Sequence, residues 1–387
     1  MRPVTILQIV FWLSAALIVW TQIGYAAALA LTARLFVPRR TAAATADESA
    51  PPSASLIVAA HDEASVIAAK VRNARALQYP PGRLQIIVCC DGCEDDTAAA
   101  AREAGADLVL DLPRGGKIRA QDAGVLQASG EIVAFSDANA LWEPDALQRL
   151  VAAFADPRVG YACGQVRFLQ AATGDDATNQ EGLYWRYEMA VRTLESRLAS
   201  ITAGNGAIYA TRAEAYLVVD PVMGHDLSFP FNMVKHGWRA VYVPTARATE
   251  KMVPSIEGEF ARKRRMMSHA WPIVLRGGML SPRGYGLGYG AMILSHRLLR
   301  YATPALHAIT LAANIALVAL GSGPLYIATL VIQVAVILAA VLGGRVRSRP
   351  LLVARYYVLT TASLAAGLWD WARHGTPAGW DAPEGTR

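Results

Sequence analysis

Charged residues are missing from two long stretches of the chain. None occurs between Arg2 and Arg34, and Val4 to Ala30 is mostly Ile, Leu, Val, Ala, Phe and Trp. About 20 apolar residues span a bilayer, so this segment predicts an N-terminal transmembrane anchor over 1–36. A cleaved signal peptide is the alternative, since Ala28-Leu29-Ala30 resembles a small-residue cleavage site. Its apolar core is nevertheless far longer than the roughly 7–15 residues of a signal peptide. At the other end, Tyr301 to Gly344 holds no Asp, Glu, Lys or Arg and is broken only by Gly321-Ser322-Gly323-Pro324. That pattern predicts two helices and a tight turn, with a weaker third apolar run over Leu351 to Leu368. The membrane helices thus occupy 301–370, and 371–387 reads as a tail.

Between these stretches the pattern alternates. Apolar runs at Leu56–Ala60, Gln85–Cys90, Asp107–Leu110 and Ile132–Phe135 are separated by helical patterns at Ala64–Leu77, Thr97–Ala104, Ile118–Ala128 and Asp145–Phe154. Short strands alternating with helices predict an α/β domain with a mostly parallel sheet, placed at 55–250. Residues 37–54, small, polar and Pro-containing, read as a linker, and 251–300 as interfacial helices returning the chain to the bilayer. Apolar residues at Tyr187, Val191, Leu194 and Leu198 keep helical spacing; they serve either as core or as a face against the membrane.

Arginines flank the apolar segments: Arg34, Arg39 and Arg40 after the first, Arg297 and Arg300 before the second, Arg345, Arg347 and Arg349 after the third. The positive-inside rule places all three groups, and the domain between them, on the cytoplasmic side. The net charge of +6 forms no long basic stripe, which excludes a nucleic-acid footprint. Four cysteines in 387 residues are too few for a disulfide scaffold.

In a parallel sheet, ligands bind where loops leave the carboxyl ends of strands. There the sequence places His61-Asp62-Glu63, Asp91-Gly92-Cys93-Glu94-Asp95-Asp96 and Asp137-Ala138-Asn139. Helix capping accounts for Asp95, Asp96 and Asp145. Asp91 and Asp137, each ending a strand before a small residue, point to a site instead.

The order of these motifs resembles the family 2 glycosyltransferases, membrane-anchored inverting enzymes with the GT-A (nucleotide-diphospho-sugar transferase) fold. The resemblance runs over roughly Ser53 to Met267. Ser55 to Glu63 looks like the family's first strand, with Asp62 in place of its Asn. Val88 to Thr97 resembles the second-strand motif, and the family pattern gives Asp91 the nucleotide base. Gly115-Gly116-Lys117 looks like the Gly-Lys segment near the nucleotide, Phe135 to Asn139 the Asp-x-Asp, and Ala203 to Tyr209, with Gly204, Asn205 and Gly206, the acceptor-side loop. His225-Asp226 stands at the position of the catalytic base, and Arg262 to Met266 at the Gln-x-x-Arg-Trp position.

The resemblance implies a sugar moved from a nucleotide-diphosphate sugar, UDP-linked, to a hydroxyl on a lipid-linked or saccharide acceptor, in glycolipid or polysaccharide biosynthesis at a bacterial cytoplasmic membrane. Nucleotide-sugar binding falls to Asp62, Glu63, Asp91, Lys117, Asp137, Arg262 and Arg265. Acceptor binding falls to Gly204, Asn205, Gly206 and His225, and proton removal to Asp226, whose affinity for the proton Phe229 and Phe231 would raise by burial. Asp137 and Asn139 would hold Mg²⁺ or Mn²⁺, which with the arginines stabilises the departing diphosphate.

Three departures matter: Asn139 lacks one negative charge, His225 stands where Glu is common, and Met266 replaces the Trp of processive members. Single transfer is thereby favoured over a processive polysaccharide synthase. An inactive nucleotide-sugar-binding subunit is the other alternative. Homo-oligomers and contacts with other polysaccharide-assembly proteins are both compatible with the chain. Cys90-Asp91-Gly92-Cys93 also has the spacing of a thioredoxin-like redox site, yet the sheet pattern begins well upstream of it.

Overall fold

The computed structural model describes residues 3–36, 51–169, 176–251, 256–346, 348–376 and 378. The linker expected at 37–54 and the tail expected at 371–387 lie largely outside them.

The N-terminal segment is one helical rod, α1 (Pro3–Val19) and α2 (Tyr25–Phe36), joined by a π-helical turn at Trp20–Gly24. The domain follows as β1 (Ala54–Ala60), α3 (Ala64–Arg75), β2 (Leu84–Asp91), α4 (Thr97–Glu103), β3 (Leu108–Leu112), α5 (Lys117–Val125) and β4 (Ile132–Asp137). Its second half is β5 (Leu141–Trp142), α6 (Ala146–Ala152), β6 (Val159–Leu169), α7 (Asp176–Leu198), β7 (Ile208–Arg212), α8 (His225–Lys235) and β8 (Arg239–Lys251). These strands form one sheet in the order β3-β2-β1-β4-β7-β6-β8-β5. Pairings among β1 to β4 are parallel, as expected, and β7 runs antiparallel to both β4 and β6.

Every residue of β1 is buried because helices cover both faces of the sheet. Leu56, Val58 and Ala60 pack with Ile67 and Val71 of α3 and Leu147 and Leu150 of α6. Ile57 and Ala59 face the other way, toward Ala120 of α5 and Phe229 and Met233 of α8. In register, Ala60 opposes Cys90 and Ala59 opposes Asp137, so the loops after β1, β2 and β4 leave from one edge.

After β8 come α9 (Ile256–Leu275), α10 (Leu287–Met292), a π-helical turn at Ile293–Leu298, the short α11 (Leu299–Tyr301), α12 (Thr303–Ala319), α13 (Pro324–Leu342) and α14 (Arg349–His374). Gly321 and Gly323 adopt positive φ in the turn between α12 and α13, the break expected from Gly321 to Pro324. Among the described residues, three helical segments are long and apolar enough to cross a membrane: Pro3–Phe36, Pro324–Leu342 and Arg349–His374. Leu287–Tyr301 and Thr303–Ala319, bent by 64°, form a fourth candidate as a pair. The weaker run over Leu351 to Leu368 is thus a 26-residue helix.

The helical stripe on α7 packs between the domain and these helices. Val191, Leu194 and Leu198 join Tyr25 and Leu29 of α2, Phe231 of α8 and Met267 of α9 in one cluster. A buried polar knot runs through it. The Glu195 carboxylate of α7 accepts from the Tyr25 hydroxyl (2.6 Å) and the Thr202 amide (3.0 Å) and meets Nδ1 of His296 (2.7 Å), while Nε of Arg297 donates to the Thr202 hydroxyl (2.9 Å). Burial opposes the Glu195 charge, and His296, Arg297 and the Tyr25 hydroxyl outweigh it, holding this carboxyl below its ordinary value. Removing one partner of a buried ion pair strands the others at a cost of about 3–5 kcal/mol. Glu195→Ala is therefore expected to lower the melting temperature of the solubilised protein by at least about 5 °C. An unchanged thermal melt would remove this knot from its role in joining the domain to the N-terminal rod.

Candidate active site

The site grows from the carboxyl edge of the sheet. Asp91 ends β2 with 1% of its surface exposed, and its carboxylate accepts the amides of Gly115 (2.6 Å) and Gly116 (2.9 and 3.0 Å). It therefore shapes the loop that starts α5 and does not line the cavity described below. Gly116 has φ +94°, a left-handed conformation that favours glycine, and a Cβ there would strike the carbonyl of Ala378. Ala378, beyond α14, thus lies against this loop.

Lys117 is the first residue of α5, and its ammonium pairs with the Asp137 carboxylate at the end of β4. Burial works against the Lys117 charge, and Asp137, Asp226 and Glu250 outweigh it, so its pKa stands above the ordinary lysine value. Gly206 faces the same ammonium: a Cβ there would lie 3.4 Å from Nζ. The loop of Gly204 to Gly206 therefore lies directly against the Lys117–Asp137 pair.

Asp226 lies in the first turn of α8, whose N-cap is Gly224, so its side chain is not the cap. Its backbone carbonyl accepts the Gly204 amide at 2.6 Å, and Arg192 donates to the Gly204 carbonyl at 2.9 Å. Asn205 turns inward: its amide donates to the Gly164 carbonyl and its oxygen accepts the Ile208 amide (3.0 Å), which fixes the loop. His225 is buried, stacks on Phe229 at 3.9 Å and meets the Tyr209 hydroxyl through Nδ1 at 2.7 Å. Burial, then Lys117, holds its pKa far below the ordinary histidine value, so it faces the cavity as neutral imidazole.

One cavity of about 1300 Å³ collects Lys117, Asp137, Gly204, Asn205, Gly206, His225, Asp226, Arg262 and Arg265. Nine of the residues expected in the site thus line one cavity. Asp62, Glu63, Asp91 and Asn139 do not line it. Asp62 accepts the Glu94 amide (2.8 Å), and Glu63 is buried with its amide on the Thr97 hydroxyl (2.8 Å). His61, Asp62 and Cys93 form a separate polar group, with ligand atoms within 4.8 Å of one another. Cys90 and Cys93 stand outside the cavity lining as free thiols.

The cavity also takes in residues that no motif flagged. Gln121, one helical turn beyond Lys117, is fully buried, and neither its amide oxygen nor its nitrogen has a partner among the described residues. Nε2 of His225 and Oε1 of Glu250, on β8, are likewise buried without a hydrogen-bond partner. Burial, then Asp137, pushes the Glu250 carboxyl up to about 7, against the pull of Lys117, Arg262 and Lys70. Orphaned buried polar atoms each cost about 1–3 kcal/mol, so several at one mouth mark a place where a polar ligand completes the bonding. Of these residues Gln121 was findable, because i and i+4 share a helix face.

From this mouth the cavity continues past Tyr184, Glu188 and Arg300 to Val353, Tyr356, Tyr357, Thr360 and Leu364 of α14 and Gln22 of the N-terminal rod. Residues 51–268 match the model of glycosyltransferase like family 2. The chain belongs to this family. It is 27% identical over 254 residues to an N-acetylglucosaminyltransferase of Rhizobium leguminosarum bv. viciae, a match covering 60% of each protein. It is 28% identical to the beta-monoglucosyldiacylglycerol synthase of Synechocystis over 59% of this chain and 50% of that one. The matches thus span about half to three-fifths of the length of these curated relatives. The structure superposes on the mannosyltransferase PcManGT from Pyrobaculum calidifontis, solved in complex with GDP-Man and Mn2+, with a TM-score of 0.70 and 21% identity, over 95% of this chain and all of that one. That likeness establishes the GT-A fold with its flanking helices.

The Gly204 position gives a direct check of the loop. A Cβ there would collide with the buried Tyr161 hydroxyl. Overpacking of this kind costs roughly 1–3 kcal/mol. Gly204→Ala is expected to displace the loop from Asp226 and lower activity at least about tenfold, since roughly 1.4 kcal/mol is tenfold in rate. Adding Tyr161→Phe, which removes the colliding atom, is expected to restore most of it. Failure of the double variant to recover, with its fold intact, would contradict the steric account.

Proposed function

We propose that this family 2 protein moves a sugar from a nucleotide-diphosphate donor, UDP-linked, to a hydroxyl of a lipid-linked acceptor, with the catalytic domain on the cytoplasmic side of the membrane. The observation that carries this reading is the clustering of Lys117, Asp137, Asp226 and the orphaned polar atoms in one cavity that runs on to α14. The names of the relatives support a sugar transfer, and one of them is a synthase of a glycosylated diacylglycerol. The continuation of the cavity to α14 favours an acceptor that arrives from the bilayer.

In this reading Lys117, at the N-terminus of α5, and Arg262 and Arg265, on α9, grip the diphosphate, where a helix N-terminus and planar guanidinium forks suit phosphate oxygens. Asp226 takes the proton of the acceptor hydroxyl as that oxygen attacks the anomeric carbon, a single displacement with inversion. Neutral His225 offers a hydrogen bond beside it without adding charge. The carboxylate of Asp137 and the unpartnered carboxylate oxygen at the same mouth fit a divalent cation, and Asp137 is the residue that would hold Mg²⁺ or Mn²⁺. Such an ion, when bound, supplies positive charge to the leaving diphosphate. Gly204, tied to the Asp226 carbonyl, keeps the acceptor loop in step with the base.

The test is a donor screen on the purified, lipid-reconstituted chain, scoring released UDP or GDP with lipid acceptors present. Asp226→Asn is expected to cut acceptor-dependent release by about 10²–10⁴-fold while nucleotide binding persists. Release that survives this change at the wild-type rate would take Asp226 out of the reaction. An absence of any donor turnover by the wild type would favour the inactive, nucleotide-sugar-binding alternative.

A further inference from the structure

The geometry points to Glu250 as a ligand of the divalent cation, supplying from β8 the carboxylate that Asn139 does not. This assignment rests on the transfer reading above. Glu250 is the penultimate residue of β8, a strand that pairs with the short β5 just after the Asp137-Ala138-Asn139 corner: Leu141 opposes Thr249, its immediate neighbour. The side chain lines the same cavity as Asp137, Lys117 and Asp226, whereas Asn139 is half-buried outside that lining.

An ionisable carboxylate with a buried, unpartnered oxygen is expensive to keep unless something is bound to it in the working state. Two of the three cations around it, Lys70 and Lys117, are engaged elsewhere. Lys70 spends its ammonium on the Ala140 carbonyl at 2.7 Å, and Lys117 pairs with Asp137. A hard divalent ion favours carboxylate oxygens, and two from separate strands provide the negative charge that an Asp-Asn pair lacks. Glu250 escaped the sequence reading because it belongs to no contiguous motif; only the fold of β8 against β5 brings it to Asp137.

The experiment uses the full chain in lipid nanodiscs, with Mn²⁺ as the metal probe and UDP as the nucleotide, free Mn²⁺ being followed by electron paramagnetic resonance. Glu250→Gln is expected to weaken Mn²⁺ binding in the presence of UDP at least tenfold, and Asn139→Ala by less than threefold. The metal-free melting temperature of Glu250→Gln should equal or exceed that of the wild type, because a neutral amide is cheaper to bury than a carboxylate. A counter-ion role for Lys117 or Arg262 alone would instead lower that melting temperature and leave Mn²⁺ affinity within twofold, which would overturn the assignment. So would loss of Mn²⁺ binding in Asn139→Ala with Glu250→Gln unaffected. Should the Gln variant not fold, Glu250→Asp decides: it keeps the charge but shortens the arm, so a ligand role predicts several-fold weaker Mn²⁺ binding and a purely structural role predicts none. A wild-type chain that bound neither Mn²⁺ nor UDP would overturn the transfer reading itself, and this assignment with it.

Discussion

The ion pair between Lys117 and Asp137 is the constraint on which the rest of the site depends. Asp137 can be there because β4 lies parallel to β1 and ends at the same edge. Lys117 can be there because Asp91, buried beneath, ties down the two glycine amides that precede it. Gly206 has no side chain to push the ammonium away, and Gly204, two residues earlier, is hydrogen-bonded to the backbone of Asp226. The Lys117–Asp137 pair and Asp226, the proposed donor side and base, are thus linked through one loop of small residues. The pair also sets the local electrostatics. Burial, then the Lys117 cation, keeps neighbouring His225 neutral, and in the proposed reaction the same ammonium supplies positive charge where the diphosphate leaves.

The long apolar helices are part of the same construction. Tyr25 from the N-terminal rod, Glu195 from α7 and His296 from the π-helical turn before α12 meet in one buried knot, so the domain is fixed to these helices by polar bonds as well as by packing. On the far side, Lys263 of α9 donates to the Tyr356 hydroxyl of α14 at 2.6 Å, and Arg264 forms a two-pronged pair with Asp370, both contacts at 2.6 Å. These cross-links carry the arginine-bearing helix and α14 as a unit. The cavity at the sheet edge runs on to α14, and in the proposed reaction this is the route by which a lipid-borne hydroxyl would meet a soluble donor.

Much of this was legible in the sequence where periodicity was clean. The alternation from Leu56 to Phe154 marked the parallel half of the sheet, because burial on both faces leaves continuous apolar runs, and the uncharged stretches marked helices long and apolar enough to cross a membrane. β6, β7 and β8 were not legible. In β8, Arg239 to Lys251, charged and polar residues interrupt the apolar positions, and only the pairing with β6 makes a strand of it. For the site, motif order brought together Lys117, Asp137, Asp226 and the arginines of α9. Asp91 was visible as a strand-end acid, but whether such an acid faces a ligand or its own backbone depends on a loop 24 residues away. Gln121 could have been found as the i+4 neighbour of Lys117, whereas Glu250 was invisible for the opposite reason: its significance lies in what it fails to bond, which no residue pattern encodes.

The most direct measurement is a structure of the full chain in a lipid nanodisc with UDP and Mn²⁺. The account predicts the diphosphate beside Lys117 and Asp137, on the wall shared with Asp226. Nucleotide bound away from that cavity, for instance confined to the His61, Asp62 and Cys93 group, would contradict it.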